Sequence, residues 1–159
     1  MTETEGPVTS GFTLEKIYFP EQSYRLLDRT DDMPEEASLQ FGWNWKLTEN
    51  KLFEVMVHLT LGVSKARPEE IKVFVCGVFG VTGDPPTVAL TDFVRLQGPA
   101  ILLPYAREVI TSMTGRSFFG PQYLPPLNVV KLMSKMNPDE TIGAEQMKER
   151  ELSGRKDPD

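Results

Sequence analysis

The chain has 159 residues, 40% of them apolar and 25% charged, with a formal charge of −6, which describes one soluble domain with a single modest core and no second domain. The acidic balance speaks against nucleic acid as a partner, because sequence-independent binding needs a positive surface to replace condensed counterions. No stretch approaches the roughly 18 uninterrupted apolar residues of a membrane span, so direct membrane insertion is excluded.

Residues 1–10 are polar and are expected to form a flexible N-terminus. They lack the basic start and apolar run of a secretory signal, so the expected compartment is the cytoplasm. Cys76 stands alone, which excludes an internal disulfide and a cysteine-based zinc cluster and suits a reducing compartment.

From Gly11 to Asp28 the apolar positions Phe12 and Leu14, then Ile17 and Phe19, keep a two-residue period but change phase, as a β-bulge in a long strand would make them do. Asp28 to Pro34 has loop composition. Leu39, Phe41, Trp43, Trp45 and Leu47 then alternate with polar or small residues, and the alternation resumes at Phe53, Val55, Val57, Leu59 and Leu61 after the short link Thr48–Lys51. Two such runs predict an antiparallel hairpin with one apolar face, which needs a cover. His58, the only histidine, falls on the polar phase and reads as a solvated or interfacial side chain, since nothing completes a metal or catalytic set around it.

Ala66 to Glu70 reads as a loop, and the pairs Glu35-Glu36 and Glu69-Glu70 read as solvated surface. Ile71 to Val81 is a near-continuous apolar run, consistent with a central or interface-buried strand. Gly77, Gly80 and Gly83 do not make a phosphate loop, because Asp84-Pro85-Pro86 follows where a Lys and a hydroxyl residue are needed. Thr87 to Gln97 fits either a short helix or a strand.

Pro104 suits a first helical position, and an amphipathic helix is expected from about Pro104 to Thr114, with Tyr105, Ala106, Val109, Ile110 and Met113 on one face and Gly115 as its left-handed end. Arg116 to Leu127 then holds three aromatics, two leucines and three prolines and no acid. Prolines hold such a loop extended without inter-strand hydrogen bonds, so its aromatics can be displayed on a preset shape. Asn128 is placed to cap a second short helix carrying Val129, Leu132, Met133 and Met136 on one face, which Asn137-Pro138 stops. From Asn137 onward seven acidic residues stand against four basic ones, and disorder or a loose helix is expected for the charged tail 137–159.

The segment Leu103 to Met113, LPYAREVITSM, followed in order by Phe119, Leu124, Pro126, Leu127 and Asn128, resembles the SecB family of protein-export chaperones. Phe12 to Tyr18 is similar to that family's first strand and Phe53 to Thr60 to its third, so the likeness covers roughly residues 11–136. The resemblance implies an α+β fold: a four-stranded antiparallel sheet with two helices packed on one side, assembled as a dimer of dimers, a homotetramer whose long first helices meet at the centre. Tyr105, Val109, Ile110 and Met113 are the oligomer-interface residues expected on that helix.

The implied activity is passive holding of unfolded or precursor polypeptides in hydrophobic grooves, without ATP, to keep them competent for the SecA motor and its translocation pathway; no enzyme activity, cofactor or metal is expected. The client groove is expected between the second helix, the connecting loop and a sheet edge. Phe119, Leu124 and Leu127 match apolar positions of the family pattern, and Trp43, Tyr123, Leu132 and Met133 are added on physical grounds, as rigid or adaptable apolar contacts. Glu21 occupies one acidic SecA-docking position of the family, while Arg25 stands where a second acid would be expected. The alternative within the fold is a chaperone dedicated to one client, such as the antitoxin of a toxin–antitoxin pair.

Overall fold

The computed structural model describes residues 11–82, 89–133, 136 and 141–143. The expectations for residues 1–10 and for the Asn137-Pro138 stop lie outside them, as does most of the charged tail. Four long strands, β1 (Phe12–Leu26), β2 (Leu39–Leu47), β3 (Phe53–Leu61) and β4 (Glu69–Val81), join a short β5 (Thr141–Gly143) in one sheet. Its order is β1-β4-β3-β2-β5 and every pairing is antiparallel.

The hairpin follows directly from the alternation. β2 and β3 pair from Leu39 opposite Leu61 to Leu47 opposite Phe53 without a slip, and a 3-10 turn at Glu49–Lys51 closes them, with Lys51 at φ 60°. Phe53, Val55, Val57, Leu59 and Leu61 are buried while the residues between them are half-buried. The expected phase change in β1 is a register shift between Leu14 and Lys16, and a second shift spans Tyr18 to Glu21. Pro20 sits in that second irregularity, where an edge strand tolerates a residue that cannot donate to the ladder.

β4 starts two residues before the apolar run, at Glu69, and lies between β1 and β3. Glu69 is therefore not solvated surface as expected: it is 2% exposed and carries an ion pair with Arg67. Glu35, by contrast, is exposed and paired with Lys65 at 2.8 Å.

One helical rod covers the inner face of the sheet. α1 (Leu90–Asp92), a π-helical turn at Phe93–Gln97 and α2 (Gly98–Thr114) run on without a break, so the open choice between helix and strand resolves to helix over residues 90–97. The expected helix start at Pro104 is corrected. Pro99 lies in the first turn of α2, directly after the π turn, and Pro104 lies deeper inside the helix. Pro104 removes the bond to the Ala100 carbonyl, and the helix persists through it because Leu102, Leu103 and Ala106 on either side are buried in the core. Gly98 lets the rod approach the sheet closely, since a Cβ there would lie 3.1 Å from Val55.

The core gathers the inner side chains of β2, β3 and β4 with Phe93, Val94, Leu102, Leu103, Ala106 and Ile110. Phe93 is its aromatic hub, with ring centres 4.3 Å from Phe12, 5.1 Å from Phe79 and 5.8 Å from Phe53. α3 (Val129–Met133) packs against the π turn and α2. Its expected cap is present: the Lys131 N–H donates to Asn128 Oδ1 at 3.1 Å. Within the tail expected to be disordered or loosely helical, Thr141–Gly143 forms the strand β5 against Gln40–Gly42 of β2.

A pinned aromatic loop as the candidate functional site

Between α2 and α3 the chain from Gly115 to Asn128 contains no regular structure, yet its backbone is tied at several points. The last turn of α2 supplies two ties. Thr114 Oγ1 donates to the Ile110 carbonyl and accepts the Gln122 N–H, both at 2.7 Å, while Thr111 Oγ1 donates to the Gln122 carbonyl at 3.2 Å. Arg107, a turn earlier, donates to the Pro125 carbonyl at 2.9 Å.

Across the sheet end, Arg67 donates from Nη1 to the Phe119 carbonyl at 3.2 Å and from Nη2 to the Gly120 carbonyl. Its Nε donates at 3.1 Å to the buried Glu69 carboxylate, so one planar guanidinium joins β4 to the loop through three donors, a geometry Lys cannot reproduce. Gly120 has φ 77° and nothing within 4 Å of a Cβ position, so glycine is needed there for backbone conformation alone. Gly115, expected as the left-handed helix end, is right-handed at φ −59°, with its N–H bonded to the Thr111 carbonyl; the left-handed glycine comes five residues later.

Pinning leaves aromatic surface outside. Phe118 is 92% and Tyr123 74% exposed, while Phe119, Leu124 and Leu127 are half-buried. Phe118 rests edge-on against Phe119 with ring centres 5.2 Å apart. Beside the loop an apolar trough of about 220 Å³ runs between Ala100, Leu103, Pro104 and Arg107 of α2 and Leu127 and Val129 at the start of α3. Arg107 Nε finds no acceptor among the described residues, leaving an unmet donor on a trough wall.

Several expected site residues are elsewhere. Trp43, Leu132 and Met133 are 1%, 0% and 0% exposed: they are sealed in the core, and their place in an open groove is corrected, because α3 closes over the inner face of the sheet. Val109 and Ile110, expected at an oligomer interface, are 8% and 0% exposed against the chain's own sheet. Of that set only Tyr105, 44% exposed, and the half-buried Met113 remain within reach of a second copy. Glu21 is exposed on β1 and accepts from Ser23 Oγ at 3.5 Å, and Arg25 pairs with Glu70 at 3.4 Å.

Sequence reasoning missed Arg67 and did not single out Phe118. A lone Arg in a charged loop carries no signal of its carbonyl partners 52 and 53 residues away. Phe118 was legible only as part of the loop's composition. On the outer sheet face, His58 stacks on Phe74 at 4.9 Å and burial holds its pKa below the ordinary value. Nearby, Tyr18 donates to Glu54, and burial pushes the Cys76 thiol up to about 11, away from thiolate chemistry. Among the described residues no three His, Cys, Asp or Glu side chains are grouped to hold a metal, and no helix is long and apolar enough to cross a membrane.

Comparison with known proteins places these features in company. The family model described as preprotein translocase subunit SecB matches residues 9–139. The protein-export protein SecB of Azoarcus sp. (strain BH72) is 33% identical over 140 residues, covering 80% of this chain and 87% of the relative. That of Stenotrophomonas maltophilia (strain K279a) is 31% identical over 126 residues, covering 74% and 71%. Among solved structures, a SecB-like chaperone of Mycobacterium tuberculosis in complex with a peptide from an antitoxin aligns at a TM-score of 0.57 with 18% identity, covering 74% of this chain and 91% of that one, and so shares its fold.

Proposed function

This chain belongs to the SecB family, and from that premise we propose that it is an ATP-independent holdase which binds unfolded or precursor polypeptides and keeps them competent for export through the SecA pathway. The observation that carries the reading is the exposure of Phe118 and Tyr123 on a loop whose backbone is fixed by Arg67, Arg107, Thr111 and Thr114. Large aromatics held in water by a rigid loop have no folding use, and they offer apolar area at low entropy cost to whatever binds.

Phe118, Phe119, Tyr123, Leu124 and Leu127 form the client wall, with the trough beside Leu127 as its floor. A client burying about 500 Å² of apolar surface there gains on the order of 12 kcal/mol by area transfer, much of it offset by ordering the client chain. Each site is then modest alone, and a dimer of dimers meeting through Tyr105 and its neighbours multiplies the sites and raises apparent affinity through effective concentration. The protein acts in the cytoplasm.

Docking to SecA would fall to Glu21, exposed on β1. Arg25 is paired with Glu70 and Lys72 stands beside them on the same face, so the outer sheet surface is not the acidic one that a basic partner needs. That observation favours a second reading, a SecB-like chaperone dedicated to one client such as an antitoxin. Capture of purified SecA, set against capture of a single co-encoded protein, separates the two.

The test of the holdase reading is suppression of aggregation of a chemically unfolded precursor without nucleotide. Stoichiometric suppression is expected, and its loss on replacing Tyr123 and Leu124 by Ser, with the assembly intact, assigns it to the loop. No suppression by the native protein would overturn the reading.

A further inference from the structure

The face of the sheet turned away from α2 carries a cation that its own cross-strand partner does not neutralise. Lys46 of β2 stands directly opposite Glu54 of β3, a position at which opposite charges ordinarily meet. Glu54 is engaged from the other side instead: Tyr18 of β1 reaches across β4 and donates its hydroxyl to the carboxylate. Lys46 stays exposed, and among the described residues it forms no ion pair.

Beside it lies a pocket of about 150 Å³ lined by Asn44, Trp45, Lys46, Glu54 and Met56. Asn44 fixes its own amide there. Its Oδ1 accepts the Trp45 N–H at 2.8 Å, which turns the acceptor end of the amide to the backbone and leaves the Nδ2 donors for another group. An ammonium and an amide NH₂ on one small pocket suit a carboxylate, whose two oxygens accept from both. Glu54 is a like charge on the same wall, so seating a carboxylate there takes both donors.

From the pocket the same face continues as half-buried apolar surface. Met56 lies opposite Asn44, and two residues along β3 the His58 ring stacks on Phe74 at 4.9 Å. That ring lies flat over Gly42, where a Cβ would come within 2.1 Å of His58 Nε2. A small carboxylate would fill the pocket and leave this strip bare, whereas an extended polypeptide covers both.

We propose that this outer face docks a partner polypeptide through an Asp or Glu side chain seated in the pocket against Lys46 and Asn44, with apolar side chains laid over Met56 and the His58–Phe74 pair. Glu54 and His58 are four strand residues apart, about 14 Å, so an acid and an aromatic four positions apart on an extended segment match the spacing. The net charge of −6 acts weakly against this, because exposed charges more than about 8 Å away are largely screened at physiological salt. The surface goes beyond the holdase reading and does not depend on it, since the aromatic loop packs on the opposite side of the sheet through Leu124 and Leu127.

The test uses the full chain and a fluorescein-labelled decapeptide, Gly-Ser-Glu-Ser-Leu-Ser-Phe-Ser-Gly-Ser, with versions that carry Gln or Lys in place of Glu, and reads Kd by anisotropy. The Glu peptide is expected to bind about tenfold more tightly than the Gln peptide, and the Lys peptide more weakly still. Lys46→Gln is expected to bring the Glu and Gln peptides to equal Kd, and Lys46→Glu to put the Lys peptide first. Phe118→Ser combined with Tyr123→Ser, on the other side of the sheet, is expected to keep the tenfold preference of the wild type. Absence of binding, equal Kd for the three peptides on the wild type, or a preference that survives Lys46→Gln would overturn the docking site. So would a preference lost in the Phe118 and Tyr123 variant, which would place the peptide on the client wall. Suppression of client aggregation by Lys46→Gln is expected to equal that of the wild type, so these outcomes leave the holdase reading to its own test.

Discussion

The β2–β3 hairpin and the loop from Arg116 to Leu127 are both rich in large aromatic and apolar side chains, yet Trp43 of the hairpin is 1% exposed and Phe118 of the loop 92%. In the hairpin, strict alternation assigns each side chain to a face, and the helical rod closes that face. The loop has no period to assign anything. There, the placement of each aromatic is decided by where side chains from α2 and from Arg67 hold the backbone, and the prolines between the ties limit what the rest can do. Trp43 in the periodic hairpin thus serves folding, while Phe118 and Tyr123 in the aperiodic but pinned loop are left outside the core.

Removing one residue from each side of this comparison tests it. Trp43→Ala opens a cavity in the sealed region and is expected to cost about 3–5 kcal/mol, read as a lower urea midpoint with an unchanged slope. Arg67→Ala strands the Glu69 carboxylate, 2% exposed, without its cation and releases the Phe119 and Gly120 carbonyls. A loss of about 2–3 kcal/mol is expected, with faster proteolysis between Arg116 and Leu127, and Arg67→Lys should recover the charge but not the loop order. Replacing Phe118 and Tyr123 together by Ser should move stability by no more than about 0.5 kcal/mol, since neither side chain is in the core, while suppression of client aggregation falls. A melting temperature that dropped sharply would place those rings in the fold after all.

The smallest effect concerns the outer face. Burial holds the His58 pKa below its unfolded value near 6.5, so the unfolded chain takes up the proton first. The stability that neutral His58 contributes is full above the unfolded pKa and is lost as pH falls toward the folded one. His58→Phe, which keeps a ring stacked on Phe74, should therefore lose less melting temperature than the wild type between pH 7.5 and pH 5.

Much of the fold was legible. The alternation from Leu39 to Leu61 gave the antiparallel hairpin and its apolar face, the phase change after Leu14 gave a bulge, and Asn128 gave the cap of α3. Local rules failed where a distant partner decides. Pro104 looks like a helix start because nothing local announces that Leu102, Leu103 and Ala106 anchor the helix on both sides of it. Glu69 looks solvated until Arg67 is placed against it. Leu132, Met133 and Trp43 have the composition of a groove wall and of a core equally, and only the closing of α3 over the sheet distinguishes the two. Composition alone marked the loop as unusual, but the residue that holds it, Arg67, had no local signature.

The central claim is that a pinned, aromatic-bearing loop takes the client. Hydrogen exchange of the native protein, measured by mass spectrometry with and without an unfolded polypeptide, tests it most directly. The account predicts new protection at the amides of Phe118, Phe119, Tyr123, Leu124 and Leu127, with none on the outward-facing residues of β1 and β4. Protection confined to that outer sheet face, with the loop exchanging as before, would contradict it.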